Sequence, residues 1–211
     1  MTGDEAGQQL VWYAAYGTNL HRDRFGCYLH GGRPEGVSRT YGGCRDPSDP
    51  RAEGALRFGG RITFGGESSV WTGGMAFVDC AAPGQVAART YLITLEQLSD
   101  VVSQEIRQIP GQEIPLDVVW SGGPHGLSPG RYDTIVSLGE RAGDPVVTIT
   151  ASDLPPPAPP ADGYVWAMAL GLRETFGLDT AEIVDYLAEC VGVEGIWTRE
   201  RLLSLATAGA A

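Results

Sequence analysis

The alternation of apolar and polar positions divides the chain into short strands and amphipathic helices. An apolar run at 11–15, with aromatic and β-branched side chains, predicts a buried strand. The run breaks at Gly17-Thr18-Asn19, where glycine permits a tight turn. The two polar residues can hold that turn or cap a helix whose first turn is predicted at 21–25. Because a strand–turn–helix junction leaves backbone N–H groups unpaired, this one is a candidate site for a carboxylate or an oxyanion.

Apolar segments punctuated by glycine predict the rest of a sheet. Paired glycines mark bulges or tight bends, so these segments favour a mainly antiparallel and strongly curved sheet. The predicted strands lie at 54–64, 70–78, 85–93, 132–138 and 145–151. Composition rich in glycine and proline predicts a loop at 31–53 and a loop-rich insert at 108–130.

Capping boxes predict two of the helices. Thr94 is followed by Gln97 three residues later, and apolar side chains then recur at helical period as far as Ile106. Asp179 and Glu182 form a second box of the same kind. The helices expected in the C-terminal part lie at 162–177, 183–190 and 198–205.

The length of 211 residues predicts one domain over 1–211, which is large enough to bury a core without disulfide bonds. The polar residues 1–9 are expected to form a flexible N-terminus. The proline-rich run 154–160 could link two domains, but only a short helical segment follows it. We therefore interpret this run as a strap across the same domain.

The net charge of −11 disfavours nucleic acid and anionic membrane surfaces as partners, because their phosphates would be repelled. The N-terminus lacks the pattern of a secretion signal, and no apolar run approaches the length of a bilayer span. A cytoplasmic location with reduced cysteines is therefore expected.

One carboxylate is the leading candidate for chemistry. His21, Cys27 and His30 form the tightest group of metal-ligand types, but a fourth ligand at plausible spacing is missing, so no metal site is expected. Neither a nucleophilic triad nor a nucleotide cofactor is predicted. Glu105 is expected near the C-terminal end of the helix that begins at Thr94, where the helix dipole disfavours negative charge. That position suits a general acid/base, and an ordinary solvated glutamate is the alternative.

Several short motifs resemble the γ-glutamylcyclotransferase-like family, in the family's order and over nearly the whole chain. The first is Tyr16-Gly17-Thr18-Asn19-Leu20, which is similar to the family's Tyr-Gly-Ser-Asn-Leu behind an apolar strand. The others are Ser-Val-Trp-Thr-Gly-Gly at 69–74, the strand 83–92 that leads to the helix of Glu105, Gly-Arg-Tyr at 130–132 and Pro-Ala-Asp-Gly-Tyr at 160–164.

The resemblance implies an α+β fold with a small, mixed, mostly antiparallel, β-barrel-like sheet flanked by helices, and a helical C-terminus. It implies a cofactor-free enzyme that cyclises a γ-glutamyl amine or amide to 5-oxoproline and releases the amine. Glu105 would be the general acid/base, and the backbone N–H groups of residues 17–20 would hold the glutamyl end. Tyr132 and Tyr164 would line the pocket and hydrogen-bond the substrate or Glu105. The partner implied is a small γ-glutamyl molecule, bound by a monomer or a homodimer.

The chain departs from the family pattern at several positions. Thr18 replaces the usual serine, Val102 stands where many members have aspartate, and Ile106 stands where glycine often follows the glutamate. The insert 108–130 is longer than the connection expected, and we expect it to reshape the pocket. The identity of the amine is therefore not predicted. A tailoring enzyme for another γ-glutamyl amide and a non-catalytic binding module of the same fold are the alternatives.

Overall fold

A computed structural model describes residues 9–124 and 131–208, so residues 1–8 of the predicted flexible N-terminus lie outside it. A 3-10 turn, Thr18–Leu20, separates the first strand from the first helix. The strands are β1 Leu10–Ala15, β2 Ala52–Gly59, β3 Arg61–Gly65, β4 Met75–Asp79, β5 Gln85–Thr94, β6 Gly123–Pro124, β7 Thr134–Arg141 and β8 Asp144–Thr150. The helices are α1 Arg22–His30, α2 Leu95–Glu105, α3 Leu116–Ser121, α4 Asp162–Phe176, α5 Thr180–Ala188 and α6 Arg199–Ala208.

Six strands form one sheet in the order β2-β5-β1-β8-β7-β6. Its strand pairs are antiparallel except for β1 and β8, which run parallel. Strands β3 and β4 pair with each other as a separate antiparallel hairpin. The prediction of a mixed, mostly antiparallel sheet flanked by helices is confirmed. The sheet is open rather than a closed barrel, because β2 and β6 form its two edges.

Strand β1 lies inside the sheet and is buried on both faces, as its apolar run predicts. Successive side chains of a strand point to opposite faces, so Tyr13 packs in one hydrophobic core and Ala14 in the other. The core around Tyr13 includes side chains of α1, α2 and α3, and the core around Ala14 includes those of α4, α5 and α6. The turn that follows β1 is consequently held from both sides.

Some predicted boundaries are wrong. The strand expected at 70–78 begins only at Met75, because the Ser68 hydroxyl accepts hydrogen bonds from the N–H groups of Val70 and Trp71 and closes a turn. The strand expected at 132–138 begins at Thr134. The insert, predicted as rich in loops, is described up to residue 124. It contains the short helix α3, and the side chain of Val119 in this helix is buried in the core.

The proline-rich segment 154–160 runs along β3 and the turn before β4. The Ala158 N–H donates to the Phe64 carbonyl at 2.9 Å, and the Gly66 N–H donates to the Pro156 carbonyl at 3.2 Å. The Gly74 N–H donates to the Pro159 carbonyl at 2.8 Å. These backbone contacts tie the β3–β4 hairpin to the start of α4, which carries Tyr164.

Candidate active site

A cavity opens between the turn after β1 and the C-terminal end of α2. Its enclosed volume is about 60 Å³. Seven of the eight site residues predicted from the sequence line it, from four separate parts of the chain. They are Tyr16, Gly17, Thr18, Asn19, Glu105, Tyr132 and Tyr164.

Glu105 is the last residue of α2 and faces the turn directly. The Asn19 side-chain amide donates from Nδ2 to Glu105 Oε1 at 3.0 Å, across 86 positions of the chain. Oε2 of Glu105 makes no hydrogen bond with any residue that the structure describes. Asn19 does not cap a helix, which was one of the two roles open to it; its side chain instead fixes one oxygen of the carboxylate.

The shape of the turn leaves three N–H groups available. The Leu20 N–H donates to the Gly17 carbonyl at 3.0 Å, and the buried Tyr91 hydroxyl donates to the Asn19 carbonyl at 2.8 Å. The first N–H groups of such a turn have no acceptor within it. Those of Gly17, Thr18 and Asn19 donate to none of the described residues, so they can bind a ligand oxygen.

Leu20 is the predicted site residue that does not line the cavity. Its side chain is completely buried in the core beside α4, and its N–H is occupied by the Gly17 carbonyl. A Cβ built on Gly171 of α4 would lie 2.4 Å from the Leu20 backbone and Cβ, so the helix can approach this closely only through glycine. Leu20 therefore anchors the turn to α4, and its N–H is not free for a substrate.

Tyr132 and Tyr164 hold another part of the cavity wall through the peptide groups of Ala76. The Tyr132 hydroxyl donates to the Ala76 carbonyl at 2.9 Å, and the Tyr164 hydroxyl accepts from the Ala76 N–H at 3.1 Å. A Cβ on Gly17 would lie 2.9 Å from the Tyr164 hydroxyl, so glycine there lets the turn pack against this tyrosine.

Four tyrosines of the cavity have raised pKa values, so their hydroxyls stay neutral over the physiological range. Burial raises the pKa of Tyr164 to about 12, and burial also raises the pKa values of Tyr13, Tyr16 and Tyr132 well above the ordinary value. Each of these hydroxyls therefore keeps its proton, which Tyr16 and Tyr132 donate to the carbonyls of Ile149 and Ala76. The formal negative charge of the described lining comes from Glu105.

The sequence analysis missed Arg24, which also lines the cavity and is only 4% exposed. Its guanidinium lies over the rings of Tyr28 and Tyr41, at 4.7 and 4.6 Å from their centres, and Nη2 donates to both hydroxyls. Its Nε and Nη1 atoms are buried without a hydrogen-bond partner among the described residues. A signal was present, because residues 24, 25, 28 and 29 form one face of α1 and an arginine on an otherwise apolar face is unusual.

Helix α2 is fixed at several points besides its core face. Both bonds of the predicted capping box form, between Thr94 and Gln97. The completely buried Asp100 accepts hydrogen bonds from the N–H groups of Arg45 and Gly111 at 2.8 and 3.0 Å and pairs with the Arg45 guanidinium. These contacts set the direction in which the helix presents its last residue, Glu105.

The insert contributes to the cavity through its flanks. None of its described residues, 108–124, lines the cavity, whereas Arg107 and Arg131 on either side of it do. Residues 108–124 therefore do not shape the pocket directly, contrary to what we expected of the insert. Residues 125–130 of the insert lie outside the described part.

Other site types find no support in the part of the chain that is described. Within residues 9–124 and 131–208, no three His, Cys, Asp or Glu side chains come together as a metal site. A Gly-x-Ser-x-Gly pattern occurs at 126–130, outside the described residues, and Pro129 within it does not suit the strand-to-helix elbow of serine hydrolases. No described helix is both long and apolar enough to cross a membrane.

Comparison with protein-family models gives no match. Among curated proteins, the chain is 34% identical over 202 residues to histone deacetylase 5 of Arabidopsis thaliana, an alignment that covers 86% of this chain. The chain spans only 31% of that relative's length.

Two solved structures are similar over nearly the whole chain. One is a γ-glutamyl cyclotransferase, with a TM-score of 0.54, 15% identity and coverage of 95% of this chain and 100% of the other. The second is a protein of Homo sapiens described as uncharacterized, with a TM-score of 0.54, 16% identity and coverage of 95% and 99%. At such identities the likeness concerns the fold alone, and the chain has the γ-glutamylcyclotransferase-like fold.

Proposed function

We propose that this protein is an enzyme that cyclises a γ-glutamyl amine or amide to 5-oxoproline and releases the amine. The observation that carries the proposal is the hydrogen bond between Asn19 and Glu105, which places a carboxylate in one cavity with a turn whose N–H groups at residues 17–19 donate to none of the described residues. A general base beside an oxyanion site is the equipment that an intramolecular acyl transfer requires. The fold, shared with a γ-glutamyl cyclotransferase, supports the same reaction class.

In the proposed reaction, Glu105 takes one proton from the substrate's α-ammonium group. The freed amine nitrogen attacks the γ-carbonyl carbon, and a tetrahedral oxyanion forms. As the bond from this carbon to the leaving nitrogen breaks, Glu105 delivers a proton to that nitrogen. The attacking nitrogen loses its second proton to solvent, and the released amine takes one up, so that protons balance. Both reacting groups belong to one molecule, so the protein mainly has to hold a folded conformer.

Glu105 can serve both proton transfers without leaving its position. Oε1 is held by Asn19, while Oε2 makes no bond to a described residue and remains open to the substrate. The N–H groups of Gly17, Thr18 and Asn19 would bind the glutamyl carboxylate or the oxyanion. Tyr132 and Tyr164 would keep this wall in place through Ala76, and their neutral hydroxyls can also contact the substrate.

The chemistry described needs no cofactor or metal. We propose that the protein acts in the cytoplasm, as a monomer or a homodimer, with a small molecule as its partner, and that residues 1–211 form one domain. The activity in the name of histone deacetylase 5 is not proposed for this chain, because the chain spans 31% of that protein.

A non-catalytic module that binds γ-glutamyl compounds is the second candidate, because the same cavity would serve binding alone. Incubation of the full chain with a panel of γ-glutamyl amino acids and γ-glutamyl amines, followed by mass-spectrometric detection of 5-oxoproline, separates the two. Release of 5-oxoproline from at least one compound, above a no-enzyme control, supports the enzyme. Binding of several panel members without any release would establish the module instead.

A further inference from the structure

The lining of the cavity is positively charged although the protein is acidic. Four arginines line it, and Glu105 is the one acidic residue among the described lining residues, so the lining has a formal charge of +3. The chain as a whole has a net charge of −11. A cavity whose charge is opposite to that of its protein attracts and selects anions. The four are Arg24, Arg39, Arg107 and Arg131.

Glu105 is the one carboxylate among the described lining residues that can offset the charge of these four arginines. None of the four forms an ion pair with a described residue, whereas six arginines elsewhere in the chain do. Arg39 lies over the Tyr41 ring and donates to the Gln104 carbonyl at 3.2 Å. Arg131 contacts the Met75 sulfur at 3.5 Å. Such contacts position a guanidinium and leave its charge available to a ligand.

Arg107 adds an observation of a different kind. It follows the C-cap of α2, has a φ of +63° in the left-handed region, and its exposed side chain lines the mouth of the cavity. Glycine is the usual residue in this conformation, and any other residue adopts it at an energetic cost. A strained arginine at the mouth of a cavity is the kind of outlier that points to a functional requirement for its side chain.

A γ-glutamyl group does not account for this charge. Its α-carboxylate and its α-ammonium cancel, so a substrate with a neutral amine would bring no net charge to a lining of +3. Resting on the function proposed above, we propose that the amine released by this enzyme is acidic, and that it carries carboxylates, as an acidic amino acid or a short acidic peptide does. Arg107 and Arg131 would bind these carboxylates at the mouth, because planar guanidinium groups match carboxylates in a bidentate geometry.

The test compares three compounds that differ in the charge of the amine. γ-Glutamyl-glutamate and γ-glutamyl-glutamine are nearly isosteric and differ by one carboxylate, while γ-glutamyl-ethylamide has none on the amine side. We expect kcat/KM for 5-oxoproline release to fall about tenfold or more at each step, a typical effect of losing a charged hydrogen bond. Equal values, or a preference for either neutral amine, would overturn the proposal.

Variants of Arg107 assign the preference to a residue. In Arg107→Gly the backbone strain is relieved, so the thermal midpoint should be unchanged or higher while the preference for γ-glutamyl-glutamate over γ-glutamyl-glutamine disappears. Arg107→Lys should keep part of the preference for γ-glutamyl-glutamate. Arg199→Ala, which removes an exposed arginine of α6 that pairs with Asp185, is the control and should keep all of it. A full preference in Arg107→Gly would contradict the assignment.

The outcome remains informative if the proposed function fails. If neither the three compounds nor the wider panel releases 5-oxoproline, the enzyme proposal is wrong, and the three compounds are stable ligands whose dissociation constants can be measured by calorimetry. The tightest binding by γ-glutamyl-glutamate would then support the selection of an acidic ligand. Equal affinities, or no binding of any compound, would overturn it.

Discussion

The amide of Asn19 and the carboxylate of Glu105 lie 3.0 Å apart, although 86 positions of chain separate them. Asn19 is 4% exposed, its carbonyl is held by Tyr91, and Glu105 ends a helix that is anchored at Thr94 and Asp100. Both partners are therefore fixed before a ligand arrives. In the proposed reaction, a preorganised pair of this kind would spare the protein the cost of arranging its carboxylate.

Substitution of Asn19 tests this relationship. Asn19→Asp places a second carboxylate next to Glu105, and because two adjacent negative charges favour proton uptake, the acidic limb of the pH–rate profile should move to higher pH. Asn19→Ala removes the bond without adding charge, so it should lower kcat about tenfold or more and move the limb in the same direction by a smaller amount. If the acidic limb lies at the same pH in Asn19→Asp and in the wild type, the contact with residue 19 does not influence the protonation of Glu105.

Gly17 and Tyr164 should be coupled energetically. Gly17→Ala would put a Cβ 2.9 Å from the Tyr164 hydroxyl, so we expect a loss of about 1–3 kcal/mol of unfolding free energy and a large loss of activity. Tyr164→Phe removes that hydroxyl and leaves the Ala76 N–H without its acceptor, at a cost of about 1–3 kcal/mol. The double variant should lose less than the sum of the two, as measured by denaturant unfolding. Strict additivity would contradict the contact.

Two helical glycines should respond to alanine in opposite directions. In Gly26→Ala the new Cβ meets only His30 at 3.8 Å, so the better helix propensity should stabilise the protein by about 0.5–1 kcal/mol. In Gly171→Ala the new Cβ meets Leu20 at 2.4 Å, so the variant should be less stable and should displace the turn that carries Asn19. The thermal midpoint and the rate of 5-oxoproline release are measured for both variants. Equal changes in thermal midpoint for the two substitutions would be inconsistent with the packing of α4.

The buried tyrosines predict a loss of stability at alkaline pH. Burial raises the pKa of Tyr164 to about 12, and the pKa values of Tyr13, Tyr16, Tyr28 and Tyr132 are also raised. Because the unfolded value is about 10, unfolding releases protons above that pH, and each such tyrosine contributes about 1.4 kcal/mol per pH unit of destabilisation. The stability they contribute is complete below pH 10 and is lost as the pH rises through the folded values.

Absorbance at 295 nm and circular dichroism, followed together from pH 7 to pH 12.5, check this prediction. Most tyrosinate absorbance should appear together with unfolding, and the thermal midpoint should be nearly flat up to about pH 9. Ionisation of most tyrosines near pH 10 in a protein that stays folded would contradict their burial.

The sequence predicts those features of the fold that depend on local patterns. The apolar run of β1, the capping box at Thr94 and the capping box at Asp179 each fix an element within a few residues of the chain. The strand predicted at 70–78 begins only at Met75, because the hydroxyl and backbone of Ser68 close a turn over the first part of this segment. The open edges of the sheet depend on strand order, which local patterns do not contain.

The site was predictable only in part for a similar reason. Motif resemblance finds Glu105 and the turn 16–20, but Leu20 faces the core because α4 approaches it at Gly171, a contact across the whole chain. The arginines of the lining come from α1, a loop and both flanks of the insert, so their convergence follows from the tertiary fold. Arg24 alone carried a local signal, as a charged residue on the apolar face of α1.

The central claim is that the carboxylate of Glu105 transfers the protons of a cyclisation, and Glu105→Gln tests it most directly. The amide keeps the size of the side chain and cannot act as a base, so 5-oxoproline release from the best γ-glutamyl substrate should fall by about 10²–10⁴-fold, with a nearly unchanged thermal midpoint. Glu96→Gln, on the same helix and away from the cavity, is the matched control and should keep its activity. A folded Glu105→Gln protein with wild-type turnover would contradict the account.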